Sequence, residues 1–257
     1  MNLLKTLFIA KYTFWEIFKS RILYVTAAIG AAIILITFVA TEFTYGVPEK
    51  IALDFGLGTL SFSSLGIAIF MGATLLTKEI DSRTVYMVIS RPVPRWAFIA
   101  GKILGLVTIL TINILILSIV TLTCTSLMGG EINQTIIMAI LFNFLEALLL
   151  LFLVVFLSLF ANTILTTTFS IILLMLGHAV KETQTFAYVL KRDYLKQILE
   201  VYHLVLPGFY KLNLKDFAVY RMTVDPYYLW NSFLYGTFYS LFLFLLTLFI
   251  FNKKNLD

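Results

Sequence analysis

The chain has 257 residues, 60% of them hydrophobic and 13% charged, with a net charge of +5. Soluble domains carry about 25% charged residues, so half that share, with a mean hydropathy of +0.96, excludes a water-soluble globule. The 24 Phe and 13 Tyr suit a surface that faces lipid and rims that sit at the interface. The expected fold is an all-α integral membrane protein, a single membrane domain over 1–257.

The N-terminal segment "MNLLKTLFIAKYTFWEIFKSR" resembles a signal peptide only superficially. Its apolar core is short, Lys11 and Glu16 interrupt it, and it lacks a small-x-small cleavage site. At helical spacing Leu3, Leu4, Leu7, Phe8, Phe14, Trp15 and Phe18 share one face. Asn2, Lys5, Thr6, Tyr12, Thr13, Glu16 and Lys19 fall largely on the other. That pattern predicts an amphipathic helix over 1–20, lying in the interface with its lysines toward lipid phosphates. The alternative is a first spanning helix fused to the next, which four basic residues by position 21 disfavour.

A spanning helix needs roughly 20 apolar residues. Six runs qualify, at about 22–42, 56–77, 103–127, 134–160, 163–180 and 229–251. The first contains "TAAIGAA" and the second "LGIAIFMGAT". Such small residues permit close helix approach, either within the chain or at a seam with a second copy. The third run holds Asn113 and the lone cysteine, Cys124, which can form no intrachain disulfide and reads as packing. The fourth holds Glu146 in "FNFLEALLLLF", with Asn143 three residues earlier on the same face. A carboxylate there is costly and must face protein or a water-filled cavity. Two readings are open for Glu146, Asn143 and Asn113. They are either a polar site on a translocation path or a clasp joining spans, with Asn113 as an expected partner of Glu146. The fourth and fifth runs meet at a hairpin over Asn162 and Thr163.

Segment 181–228 is the longest polar stretch. "TFAYVLKRDYLKQILEVYHLVLPG" has apolar residues at helical spacing, and Pro207-Gly208 ends the pattern. It predicts an amphipathic helix on the outer face, then an irregular stretch to Pro226. His203 reads as interfacial or packed. The only other histidine is His178, and no ligand spacing for a metal accompanies them.

Basic residues mark the cytoplasmic side, and short loops weigh most. With the N-terminus inside, the inner segments hold four (1–21), five (78–102) and two (252–257). The outer ones hold one (43–55), none (128–133) and seven (181–228), the last nearly balanced by five acids. The expected arrangement is a multi-pass protein of the cytoplasmic membrane with both termini cytoplasmic.

Loop 78–102, "KEIDSRTVYMVISRPVPRWAFIAGK", concentrates the scarce charge. Pro92 and Pro94 break any continuous helix, leaving a short helix before them and a second, after them, that climbs into the third run. The order Glu79, Thr84, Arg91-Pro92-Val93, Arg95, Gly101-Lys102 resembles the signature loop of type-2 ABC transporter permeases. It is most similar to the subgroup containing the permease of the nitrous-oxide-reductase maturation system. "LPGFYKLNLKDF" (206–217) and the tail "FIFNKKNLD" also look like that subgroup. Arg83 stands where the family usually has Gly, and Gly208 where Asn is commoner.

The resemblance implies a permease subunit whose loop docks in a cleft of a separate ATPase. Glu79, Arg83 and Thr84 would belong to the docking helix. Arg91, Pro92 and Arg95 would fix the elbow or grip the partner, since arginines suit bidentate contact with carboxylates. Gly101 would allow close packing where the third run begins, and Lys102 would snorkel to lipid phosphate. The implied partners are two ABC ATPase subunits, a second permease copy or sister chain, membrane lipid and an outer-face partner, with no nucleic acid. No cofactor is expected on this chain, since ATP and Mg would sit on the ATPase. "IAGKILG" lacks the upstream glycine and the Ser/Thr of a phosphate-binding loop, and no catalytic or metal motif occurs. The rival classes are an intramembrane enzyme, which needs ionisable residues converging at one depth, and a passive scaffold.

Overall fold

The structure is a computed structural model, and it describes residues 2–19, 22–43, 47–81, 94–185, 194 and 206–253. Among these residues every regular element is a helix and there is no strand. It runs α1 (Asn2–Phe18), α2 (Ile22–Phe43), α3 (Pro48–Asp81), α4 (Arg95–Leu127), α5 (Gln134–Leu157), α6 (Thr163–Thr185), a 3-10 turn (Phe209–Lys211), α7 (Lys215–Val219) and α8 (Pro226–Lys253). Among the described residues, four stretches are long and apolar enough to cross a membrane: Pro48–Leu75, Arg95–Leu127, Gln134–Leu157 and Pro226–Lys253. Tyr24–Ala40 and Thr163–Ala179 are shorter apolar helices.

Local chemistry sets the boundaries. Pro94 is extended (φ −67°, ψ 142°) and precedes the first turn of α4. That helix ends in a Schellman motif. Gly129 takes φ +83°, its N–H donates to Ser126 O, and the Gly130 N–H donates to Thr125 O at 2.9 Å. The predicted hairpin forms at 158–162, where Asn162 Oδ1 accepts from the Leu165 N–H at 2.9 Å. Asp225 Oδ1 accepts from the Tyr227 N–H at 3.0 Å, with Pro226 at the first helical position of α8.

The core lies between α3, α4 and α5, where Leu60, Ile99, Ile103, Leu110, Leu117, Leu149, Leu150 and Val154 are buried. At the usual 1.5 Å per residue, the 34 residues of α3 and the 33 of α4 extend about 50 Å each. A hydrocarbon core is about 30 Å thick. Both helices therefore outreach one, and both point toward the joining segment 82–93. That end is called the loop end here. The opposite end is closed by residues 206–219, called the cap.

Two expectations are corrected. Thr6 and Thr13, assigned by spacing to the water side of α1, are buried against α4. The exposed face carries Leu4, Leu7, Phe8, Tyr12 and Trp15. Glycines in α4 cause the difference, because they offer a groove that only a close-fitting helix fills. The cap is the second correction. Its first part was expected as an irregular stretch on the surface, yet Phe209, Leu212 and Leu214 are buried. Leu212 packs on Gly236, ten residues into α8 or about 15 Å along it. Irregular backbone so far inside a membrane bundle is tolerated only where protein covers it. The amphipathic helix expected before it falls on 186–205, outside the described residues apart from Tyr194.

Candidate functional site

The polar interior is built in tiers along α5. Asn143 Nδ2 donates to Ser64 Oγ of α3 at 3.2 Å, and that hydroxyl also bonds Ser61 O at 2.9 Å. One turn on, Glu146 is 1% exposed. Its Oε1 lies 3.1 Å from His178 Nε2 of α6, a close ion-pair contact off hydrogen-bond alignment, and has no hydrogen-bond partner among the described residues. His178 Nδ1 lies 3.1 Å from Leu174 O, a carbonyl one turn back in its own helix. Its ring stacks on Phe209 of the cap, with centroids 6.0 Å apart and planes 8° from parallel.

The cap reaches His178 because the preceding residue is Gly177. A Cβ there would collide with Pro207 O and lie 2.5 Å from Phe209 Cδ2. Gly208 N–H donates to Tyr235 Oη at 2.8 Å, and Tyr228 Oη donates to Lys211 O at 3.3 Å. Lys215 Nζ is 2.9 Å from Asp54 Oδ1, which ties the cap to α3. Burial pushes the Lys211 amine below its ordinary pKa. Its charge instead rests over the Tyr235 ring, 4.6 Å from the centroid.

Two cavities flank the dyad. A small one of about 20 Å³ lies between Ser61, Asn143, Glu146, Asn213 and Lys215, which is room for one water molecule. A larger one of about 630 Å³ is lined by His178, Tyr210, Asn213, Asp216, Asp225 and Tyr228, among others. Glu146 thus borders only the small space, while His178 connects it to a roomy polar space under the cap.

Asn113 does not join Glu146, contrary to expectation. Its Nδ2 donates to Thr26 Oγ1 of α2 at 2.7 Å and reaches Ser63 Oγ of α3 at 3.4 Å, so it clasps a different trio of helices. Glu146 does not stand alone either, since His178 converges on it. The signal for that pair was present in the sequence: Glu146 and His178 are each the one ionisable side chain in their apolar runs, and they stand at comparable distances from the hairpin at 158–162 that joins those runs. A buried charge needs a partner, and each was the other's only candidate at that depth.

Of the loop residues, Arg83, Thr84, Arg91 and Pro92 lie outside the described residues. For Glu79 the helix is described but not the side chain. Arg95 opens α4 half-buried. Gly101 is buried where α1 crosses α4. A Cβ on it would sit 2.8 Å from Ile9 Cβ and 2.8 Å from Thr6 O. Lys102 was expected to reach lipid. It pairs with Glu16 of α1 at 3.6 Å.

No protein-family model matches this chain, and no curated protein matches it significantly. Fold and site together define an all-helical protein with four helices able to cross a membrane and a buried Glu–His pair beneath an inserted cap.

Proposed function

We propose that the chain is the permease subunit of an ATP-driven transporter of the type-2 class. It would work with two separate ATPase subunits, which carry ATP and Mg, and with a second permease copy or a sister chain. In this reading α2 and α6 also span, making six spans in a cytoplasmic membrane, with both termini and the loop end inside. The work is export of cargo, movement of lipid, or force passed to a partner at the cap end.

The observation that carries the reading is the clasp of α1 on the start of α4. Gly101 and Gly105 bring the two backbones together, and the Lys102–Glu16 pair flanks them. Immediately before this unit comes the segment with Arg91, Pro92 and Arg95. A push delivered there enters a stiff two-helix lever rather than a single bendable helix, and rigid-body rocking of packed helices is the expected response. Glu79, near the end of the overlong α3, together with Arg83 and Thr84, would form the other arm of the grip.

The test is co-purification in mild detergent followed by hydrolysis measurements. An ATPase subunit should accompany the chain. Arg91→Glu or Arg95→Glu should abolish cargo-stimulated hydrolysis while the complex stays folded. Full stimulation in both variants would refute the reading. A second reading, an intramembrane enzyme, draws on the convergence of Glu146 and His178. It requires turnover by the isolated chain, which the permease reading does not.

A further inference from the structure

We propose that Glu146 and His178 form a proton-binding dyad that holds one proton between them and exchanges it through the cavity under the cap. The argument starts from the Leu174 carbonyl. An oxygen of that kind only accepts, so His178 Nδ1, 3.1 Å away, is the nitrogen that carries a hydrogen. In a neutral ring Nε2 is then a bare lone pair. It lies 3.1 Å from Glu146 Oε1, off hydrogen-bond alignment, and an ionised carboxylate that close to a bare lone pair is repelled. One proton on the pair relieves that repulsion, either on the ring as imidazolium beside carboxylate or on the carboxyl beside neutral imidazole. Both states carry one proton and no net charge, which is what a buried, membrane-embedded site tolerates.

The roomier access is through His178. Glu146 is almost fully buried and borders only the 20 Å³ space, whereas His178 is about one-third exposed and lines the 630 Å³ cavity. The other titratable groups facing the pair are few. On the cavity walls they are Tyr210, Asp216, Asp225 and Tyr228. Across the small cavity it is Lys215, whose charge is matched by Asp54. The two aspartates draw cations into the cavity, so the ligand class is the proton of bulk water. Phe209 adds a coupling, because its ring stacked on His178 favours the charged imidazole. A seated cap and a loaded proton therefore support each other. The inference stands whether or not the chain is a permease.

The experiment uses the full chain in lipid nanodiscs with 15N-labelled histidine. The sequence contains two histidines, so His203→Asn leaves His178 as the single signal. At neutral pH the expected result is a hydrogen on Nδ1 together with one shared proton. That proton appears as imidazolium or as a hydrogen-bonded Nε2 with an infrared carboxylic-acid band. In Glu146→Gln the same pH should show the neutral ring with Nδ1–H and no carboxyl band from this site. Should that variant fail to fold, His178→Asn serves, and there the infrared signature of Glu146 should change. A neutral ring carrying its hydrogen on Nε2, or identical spectra with and without Glu146, would overturn the dyad. A bulky Thr223→Trp in the cavity wall should slow equilibration after a pH jump. Unchanged kinetics would overturn the route.

Discussion

Thr13 of α1 sits directly on Gly105 of α4, so that a Cβ placed on the glycine would lie 2.7 Å from the Thr13 Cβ and 3.1 Å from Ala10 O. One turn earlier Gly101 meets Ile9 and Thr6 in the same way. Between them these glycines let two backbones touch, the arrangement that drives helix association in lipid. Gly105→Leu should therefore force α1 off α4. The expected loss is about 1–3 kcal/mol, read as a lower thermal midpoint in detergent. Faster tryptic cleavage at Lys5 and Lys11 should accompany it. An unchanged cleavage rate would mean the clasp does not hold α1.

The same contact makes an opposite prediction for its other partner. Thr13 Oγ1 is buried and bonds to nothing among the described residues. A buried hydroxyl without a partner costs about 1–3 kcal/mol, and valine has nearly the same shape. Thr13→Val should hold or raise the thermal midpoint. A fall of several degrees would show that the hydroxyl has a partner.

These two residues also mark where sequence reading ran short. Apolar runs and turn residues located the long helices, because length and composition alone decide what can cross a bilayer, but α3 and α4 begin at Pro48 and Arg95, each about eight residues before its apolar run. The face of α1 was misassigned because a hydrophobic pattern in a membrane chain does not say which side meets lipid and which meets protein. Leu7 and Phe8 are exposed and Thr6 is buried, which inverts the rule for soluble helices. The Asn113–Thr26 bond joins residues 87 apart, and nothing local encodes which two spans lie side by side. Glu146 stood out as a costly carboxylate, but its partner was weighed only as a metal ligand. The inserted cap left little trace, since "LPGFYKL" reads equally well as a surface turn.

Gly177 controls whether the cap seats. A Cβ at this position would strike Pro207 O and press on the Phe209 ring, and both belong to a backbone already fixed by the Gly208–Tyr235 bond. Gly177→Val should lift the cap and open the space over His178. The expected signature is faster hydrogen exchange at residues 208–219, with the helices away from the cap unaffected. Protection equal to that of the native chain would place the hinge elsewhere.

The two asparagine clasps should matter less than the glycines. Asn113→Leu removes the bonds to Thr26 and Ser63, but it also removes an Oδ1 that is buried without a partner. Serine and threonine in membrane helices can fall back on the carbonyl one turn earlier, as Thr111 does on Val107 O and Ser118 on Ile114 O. Ser64 already bonds Ser61 O, so Asn143→Leu leaves it partnered. Interhelical hydrogen bonds of this kind average about 0.6 kcal/mol, and each substitution adds apolar packing in return. Each should therefore lower the thermal midpoint less than Gly105→Leu does, and the pair together should depart from the sum, since both bond neighbouring serines of α3, Ser63 and Ser64. Asn113→Leu costing more than Gly105→Leu would reverse the ranking. It would mean that polar bonds, rather than close backbone contact, hold this bundle.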